Sequence, residues 1–210
     1  MNAPRFDDAF RAGLATLFEW RRDVRRFRPD PLPPGLLDSL LATADGAPSV
    51  GLSQPWRFIL VNEPARRRAV RASFLRCNEA AGAAQPDDRA TLYARLKLEG
   101  LDQAPVHLAV CVDPAPEQGH GLGRATQPET AAFSAVLAIH TLWLAARAAE
   151  VGVGWVSILE PGTVLRALDV PDTWRLVAYL CLGYPAAASD TPELERAGWE
   201  QRAAHPVLRR

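Results

Sequence analysis

The chain has 210 residues, 48% of them apolar, with 24 acidic and 24 basic side chains and no formal net charge. That length bounds it to one domain with room for an appended arm, and the apolar share is ample for a packed core. Zero net charge excludes a molecule-wide field for nucleic acid, so each charged cluster must be explained locally. Of the basic residues 23 are arginine and one, Lys97, is lysine, which with the abundant alanine and proline reads as the codon bias of a GC-rich genome. Cys77, Cys111 and Cys181 are odd in number and lack Cys-x-x-Cys spacing. That favours reduced thiols in a cytoplasmic protein over a disulfide scaffold or a zinc site. The opening Met-Asn-Ala-Pro-Arg-Phe-Asp-Asp has no apolar core for a signal peptide.

Phe6, Phe10, Leu14, Leu17 and Phe18 recur at helical spacing and predict an amphipathic helix over about 6–20. An arginine run follows as its exit turn. Four prolines between 29 and 34 break structure, and Leu36, Leu37, Leu40, Leu41 and Ala44 mark a second helix. Residues 56–61 read as a strand. Pro64 opens a third helix whose arginines at 66, 67, 68 and 71 are expected to form a solvated face. Residues 81–90, small and polar, are expected to be a mobile loop before a short helix carrying Tyr93 and Leu96. Val106–Val112 is a continuous apolar strand, and 113–128 a long Gly- and Pro-rich loop of the kind that serves as lid or ligand contact. Ala131–Ala146 is apolar throughout but short for a membrane span and interrupted by Ser134, His140 and Thr141, so a helix buried on nearly all sides is expected. His140 on it then reads as a hydrogen-bonded structural histidine. Strands at 154–159 and 176–182 flank a short helix at 164–168. The last 25 residues show little periodicity apart from Trp199. Opening on two helices, with few βαβ units, the pattern suggests α+β with one sheet covered by helices.

Two segments carry chemistry. Arg-Arg-Asp-Val-Arg-Arg-Phe at 21–27 sets one carboxylate among four guanidiniums. Arginine forks match phosphate oxygens, so Arg21, Arg22 and Arg25 suggest an anchor for a phosphorylated ligand, while Asp23 is suited to a different part of that ligand. The bland alternative is a solvated basic face with Asp23 as local charge relief. Residues 47–58, Ala-Pro-Ser-Val-Gly-Leu-Ser-Gln-Pro-Trp-Arg-Phe, make a rigid irregular loop that either faces a ligand or merely joins helix to strand. Other patterns fall away. Gly119–Arg124 places arginine at the third glycine of a dinucleotide fingerprint, the Gly51–Pro55 stretch lacks the second glycine of a nucleophile elbow, and His107, His120, His140 and His205 have no ligand spacing.

Together the two segments resemble the nitroreductase-like flavoproteins. Tyr93–Gly100 (Tyr-Ala-Arg-Leu-Lys-Leu-Glu-Gly), Gly154–Leu159 (Gly-Trp-Val-Ser-Ile-Leu) and Tyr179–Pro185 (Tyr-Leu-Cys-Leu-Gly-Tyr-Pro) narrow the likeness to the 5,6-dimethylbenzimidazole synthases, over roughly residues 15–202. The resemblance implies a nitroreductase-like fold, with a central mixed sheet covered by helices. It implies an intertwined homodimer in which 1–185 form the FMN-binding domain and 186–210 an arm crossing to the partner. It also implies reduced FMN as substrate, broken down with dioxygen to dimethylbenzimidazole and erythrose 4-phosphate. Arg21, Arg22, Val24 and Arg25 would hold FMN, Ser49 and Leu98 would line it, and Arg202 would either reach the phosphate or be an exposed arginine of the tail. Asp23 and Ser157 would be catalytic; without the resemblance Ser157 reads as a small strand residue bonded to the backbone. A separate flavin reductase would supply the reduced FMN, with no nucleic acid, membrane or metal involved. An NAD(P)H-dependent nitroreductase or flavin reductase that recycles FMN, and a non-catalytic flavin-binding protein, are the rival readings.

Overall fold

The computed structural model describes residues 3–205 and 207–210. Helix α1 spans Asp8–Trp20, started by Asp7, whose carboxylate accepts the Phe10 main-chain N–H at 2.8 Å. Helix α2 spans Leu36–Ala44 as its leucine spacing predicts. Strands β1 (Trp56–Leu60), β2 (Val106–Val112), β3 (Gly152–Val156) and β4 (Arg175–Gly183) form one sheet in the order β1-β2-β4-β3. Helices α3 (Pro64–Ala83) and α4 (Asp87–Arg95) connect β1 to β2. Helix α5 (Thr130–Ala148) connects β2 to β3, α6 (Pro161–Leu168) connects β3 to β4, and α7 (Glu193–Arg196) is a single turn in the tail.

The sheet is covered on both faces, which is why its central strands are apolar without alternation. Leu108, Val110, Leu180, Leu182 and Val153 face α2 and α5, packing on Ala135, Ala138, Ile139 and Leu142. Ala109, Tyr179, Cys181 and Val156 face the opposite way, toward Val70, Phe74, Val164 and Leu168 of α3 and α6.

Several expectations change. The four strands pair antiparallel throughout, so the sheet is not the mixed one expected; the parallel pairing among the described residues is a single bridge, Asp23 with Val153. An apolar run records burial on both faces and says nothing of strand direction. Residues 81–90 are not a loop: α3 runs on through the helix-forming alanines to Ala83, and only 84–86 separate it from α4. The α3 arginines are stitched to the fold rather than merely solvated. Arg66 donates to the Ala167 carbonyl (2.8 Å), Arg67 to those of Val61 (2.7 Å) and Pro105 (3.1 Å), and Arg71 pairs with Asp102 (2.5 Å). Helix α5 is long and apolar enough to cross a membrane, yet one face of it is the centre of the core. The other face is open. Phe133, Val136, Leu137 and His140 are exposed, so His140 is not the buried, bonded residue expected. Helix α1 likewise buries none of its residues and exposes Phe10, Leu14 and Phe18.

Candidate functional site

The arginine run does more than leave α1. Its backbone lies on the outer edge of β3, with the Val24 N–H donated to the Val153 carbonyl at 3.0 Å. That approach needs a rail without side chains, and residues 151–154 supply it as Val-Gly-Val-Gly. A Cβ on Gly154 would stand 2.1 Å from the Val24 carbonyl oxygen, and one on Gly152 would stand 2.7 Å from a Val24 methyl. Phe27, 3% exposed, pins the far end of the run over Gly100 and Gly183.

The turn separates its charges. Asp23 is gripped on both oxygens: Oδ1 accepts the Trp155 main-chain N–H at 2.8 Å and Oδ2 accepts Arg25 Nε at 2.8 Å. Arg25 also donates Nη1 to the Lys97 carbonyl at 3.0 Å. Arg22 has no carboxylate in ion-pair reach among the described residues. It donates Nε (2.7 Å) and Nη2 to the Asp190 carbonyl, and Nη1 to the Arg21 carbonyl at 2.7 Å. Burial first, then the guanidiniums of Arg202 and Arg21, hold Arg22 below the ordinary arginine pKa. Three guanidiniums thus gather at one spot, Arg202 among them paired with Glu195, a grouping suited to an anion. Arg21 caps the group from the side, 5.1 Å from the Trp143 ring, and Trp143 Nε1 donates to the Arg22 carbonyl at 3.3 Å. A cleft of about 130 Å³ opens here, lined by Arg22, Asp23, Trp143, Gly152 and Ser189, and a second hollow of about 160 Å³ lies toward Pro192 and Leu194.

The sequence profile of the nitroreductase family matches residues 18–184, from the end of α1 to just past β4. The chain is 60% identical over 207 residues to the 5,6-dimethylbenzimidazole synthase of Rhodospirillum rubrum, covering 99% of this chain and 98% of that one. It is 50% identical to the 5,6-dimethylbenzimidazole synthase of Rhodobacter capsulatus over 93% of this chain and 95% of that one. The chain belongs to the nitroreductase family. Its fold is similar to that of iodotyrosine deiodinase solved with FMN and 3-iodo-L-tyrosine, at TM-score 0.72 and 23% identity over 94% of this chain and 97% of that one.

On this nitroreductase fold the remaining candidates are unevenly placed. Leu98 joins the turn: it packs with Val24 on the core cluster around Phe27, one residue beyond the carbonyl that Arg25 holds. Arg202 comes near Arg22 while its Nε pairs with Glu195 at 3.1 Å. Ser157 is outside the expected strand, because β3 ends at Val156, and its side chain is exposed. It follows Trp155 by two residues and so shares an edge with Asp23. Ser49 does not reach the turn. Its Oγ accepts the Gln54 N–H at 3.1 Å, and its loop is tied to the start of α5 by Val50 N–H on Ser134 Oγ at 3.0 Å. Nine residues separate Ser134 from Trp143, or roughly 13 Å of helix. The tail folds back on its own chain, with Trp199 6.1 Å from Tyr93 and the Arg89 guanidinium over its ring at 5.0 Å.

Sequence reasoning missed the Trp155 amide, a main-chain group without a side-chain signature, and Trp143, whose indole reads as ordinary helix core; the neighbourhood of Lys97 and Leu98 it marks as able to close over the flavin. It also passed over Gly152 and Gly154. Their alternation with valine was a readable sign of close backbone approach.

Proposed function

We infer that this chain is an enzyme that fragments reduced FMN in an oxygen-dependent reaction, forming 5,6-dimethylbenzimidazole, the lower ligand of cobalamin, and erythrose 4-phosphate. The observation that carries this is 60% identity over essentially the whole length to the synthase of Rhodospirillum rubrum. The turn fits the ligand. A phosphate dianion matches the guanidinium of Arg22, whose partners are main-chain carbonyls, backed by Arg21 and Arg202. Bound reduced FMN supplies the electrons taken by dioxygen and is itself the molecule broken down. Asp23, next in sequence to the arginine that would hold the phosphate, would face the ribityl part of the ligand. The Trp155 amide and Arg25 each use one lone pair of its oxygens, leaving others able to take a proton as the sugar fragment departs. The Ser157 hydroxyl, further along the same edge, is the second group we assign to the reacting part of the ligand.

The site is built for two copies. A cleft of about 130 Å³ falls short of the roughly 300–1,000 Å³ usual for a ligand pocket. The Ser49 loop sits far along α5, and the apolar faces of α1 and α5 are uncovered in one chain. A second copy docked on those faces would cover them and bring its own Ser49 loop to the flavin. Reduced FMN would come from a separate flavin reductase.

The test is to incubate the protein with excess reduced FMN in air. Consumption of flavin with appearance of dimethylbenzimidazole is the expected result. Recycling of intact FMN with NAD(P)H oxidation would mark a reductase instead.

A further inference from the structure

Resting on that reading, we propose that Arg25 is a positioning residue outside the phosphate grip: it ties the Asp23 carboxylate to the strap 96–104, so that the strap's seating against the arginine run and the aim of Asp23 are one event. Arg22 and Arg25 stand three residues apart and meet different surroundings. Arg22 keeps its charge, since only carbonyls touch it. Arg25 is spent: its side chain is 13% exposed and forms an ion pair with Asp23 at 2.8 Å. That pair carries no net charge and has little to offer a phosphate.

The remaining arm of Arg25 reaches the strap. Its Nη1 bond to the Lys97 carbonyl is the hydrogen bond found between the strap and the arginine run among the described residues. The other contacts of the strap are bonds within it or on its far side, and packing against the run, Leu98 with Val24 and Gly100 under Phe27. Glu99 accepts from Lys97 Nζ at 2.6 Å and caps the Leu101 amide at 2.6 Å, while Asp102 pairs with Arg71 on α3. Gly100 lies flat under Phe27, where a Cβ would be 2.3 Å from the ring. A guanidinium holds two acceptors at a fixed angle, which a lysine ammonium on its flexible stem does not. Leu98, adjacent to the latched carbonyl, is thereby carried to the ligand by Arg25.

Arg25→Gln and Arg25→Lys test this beside Arg22→Ala. Lys97 is the chain's only lysine, so reductive methylation with ¹³C-formaldehyde gives one side-chain signal that reports the strap directly, without flavin. In both Arg25 variants that signal should shift toward the position of a free lysine. Affinities for FMN and riboflavin should fall by a common factor. Benzimidazole formation at saturating flavin should drop about tenfold or more, with reoxidation of the flavin by oxygen retained. Selective loss of FMN over riboflavin, as expected for Arg22→Ala, would make Arg25 a phosphate ligand and overturn the proposal. An unmoved Lys97 signal would overturn it equally, since no latch would have been released. If wild-type protein made no benzimidazole, the assigned reaction would fail, while the Lys97 signal and the FMN-to-riboflavin comparison would still decide the latch.

Discussion

Asp23 shows how a residue type acquires a task from its neighbours. Between the Trp155 amide and Arg25 it is aimed, with spare lone pairs for a proton. Asp23→Asn keeps the shape and an oxygen for Trp155 but removes the base. It should bind reduced FMN, let oxygen reoxidise it, and release less dimethylbenzimidazole by about 10²–10⁴-fold; a product assay at saturating flavin reads this, and near-normal output would end the acid–base role. Failure to bind flavin would instead make Asp23 a structural part of the turn. Arg22 tests the anion site. Arg22→Ala should lose on the order of 1.5–3 kcal/mol of FMN affinity, the worth of a charge-assisted bond. Riboflavin, which lacks the phosphate, should be nearly unaffected, and titration of the two ligands side by side gives the answer.

At the scale of elements, β3 and β2 each carry a feature that side-chain pattern alone understates. β3 is a bare rail for the arginine turn, so Gly154→Ala should force Val24 off the strand edge. Overpacking of this kind costs about 1–3 kcal/mol, visible as a lower urea midpoint accompanied by weaker FMN binding. A fall in stability with unchanged binding would show that the turn tolerates displacement. On β2, His107 is buried with Nδ1 2.9 Å from the Tyr179 hydroxyl, and Nε2 lacks a partner among the described residues. Burial, and then the Arg67 guanidinium, push its pKa down to about 4, partly offset by the Leu101 and Ala104 carbonyls. Burial raises Tyr179 well above the ordinary phenol value. Because the folded-state pKa of His107 lies below its unfolded value, its neutral form favours folding above about pH 6.5. That advantage is lost as pH falls toward about 4. The loss is on the order of 3 kcal/mol, and urea melts across that window should show a shallower slope for His107→Gln than for wild type.

At the scale of the whole molecule, apolar faces of α1 and α5 stay open in one chain. Phe133 and Leu137 of α5, at 52% and 44% exposed, and Phe18 of α1, at 47%, form an apolar surface of the kind that marks an interface. Leu137→Glu should therefore yield a folded chain that sediments as a monomer at micromolar concentration and binds FMN poorly, whereas wild type should sediment as a dimer. A monomeric, fully active wild type would reject the two-copy site. What the sequence determined by itself is the part written in local pattern. Leucine spacing bounded by proline gave α2, the apolar run Val106–Val112 gave β2, and Arg21, Arg22 and Arg25 stood out as a cluster around Asp23. Tertiary structure alone decided what each surface meets. Strand direction, the open face of α5 with His140 on it, and the exposure of Ser157 depend on packing partners distant in sequence. So does the division of labour within the turn. Arg22 and Arg25 are the same residue three positions apart, and only the Asp190 carbonyl beside one and the Asp23 carboxylate beside the other make the first an open charge and the second a closed one.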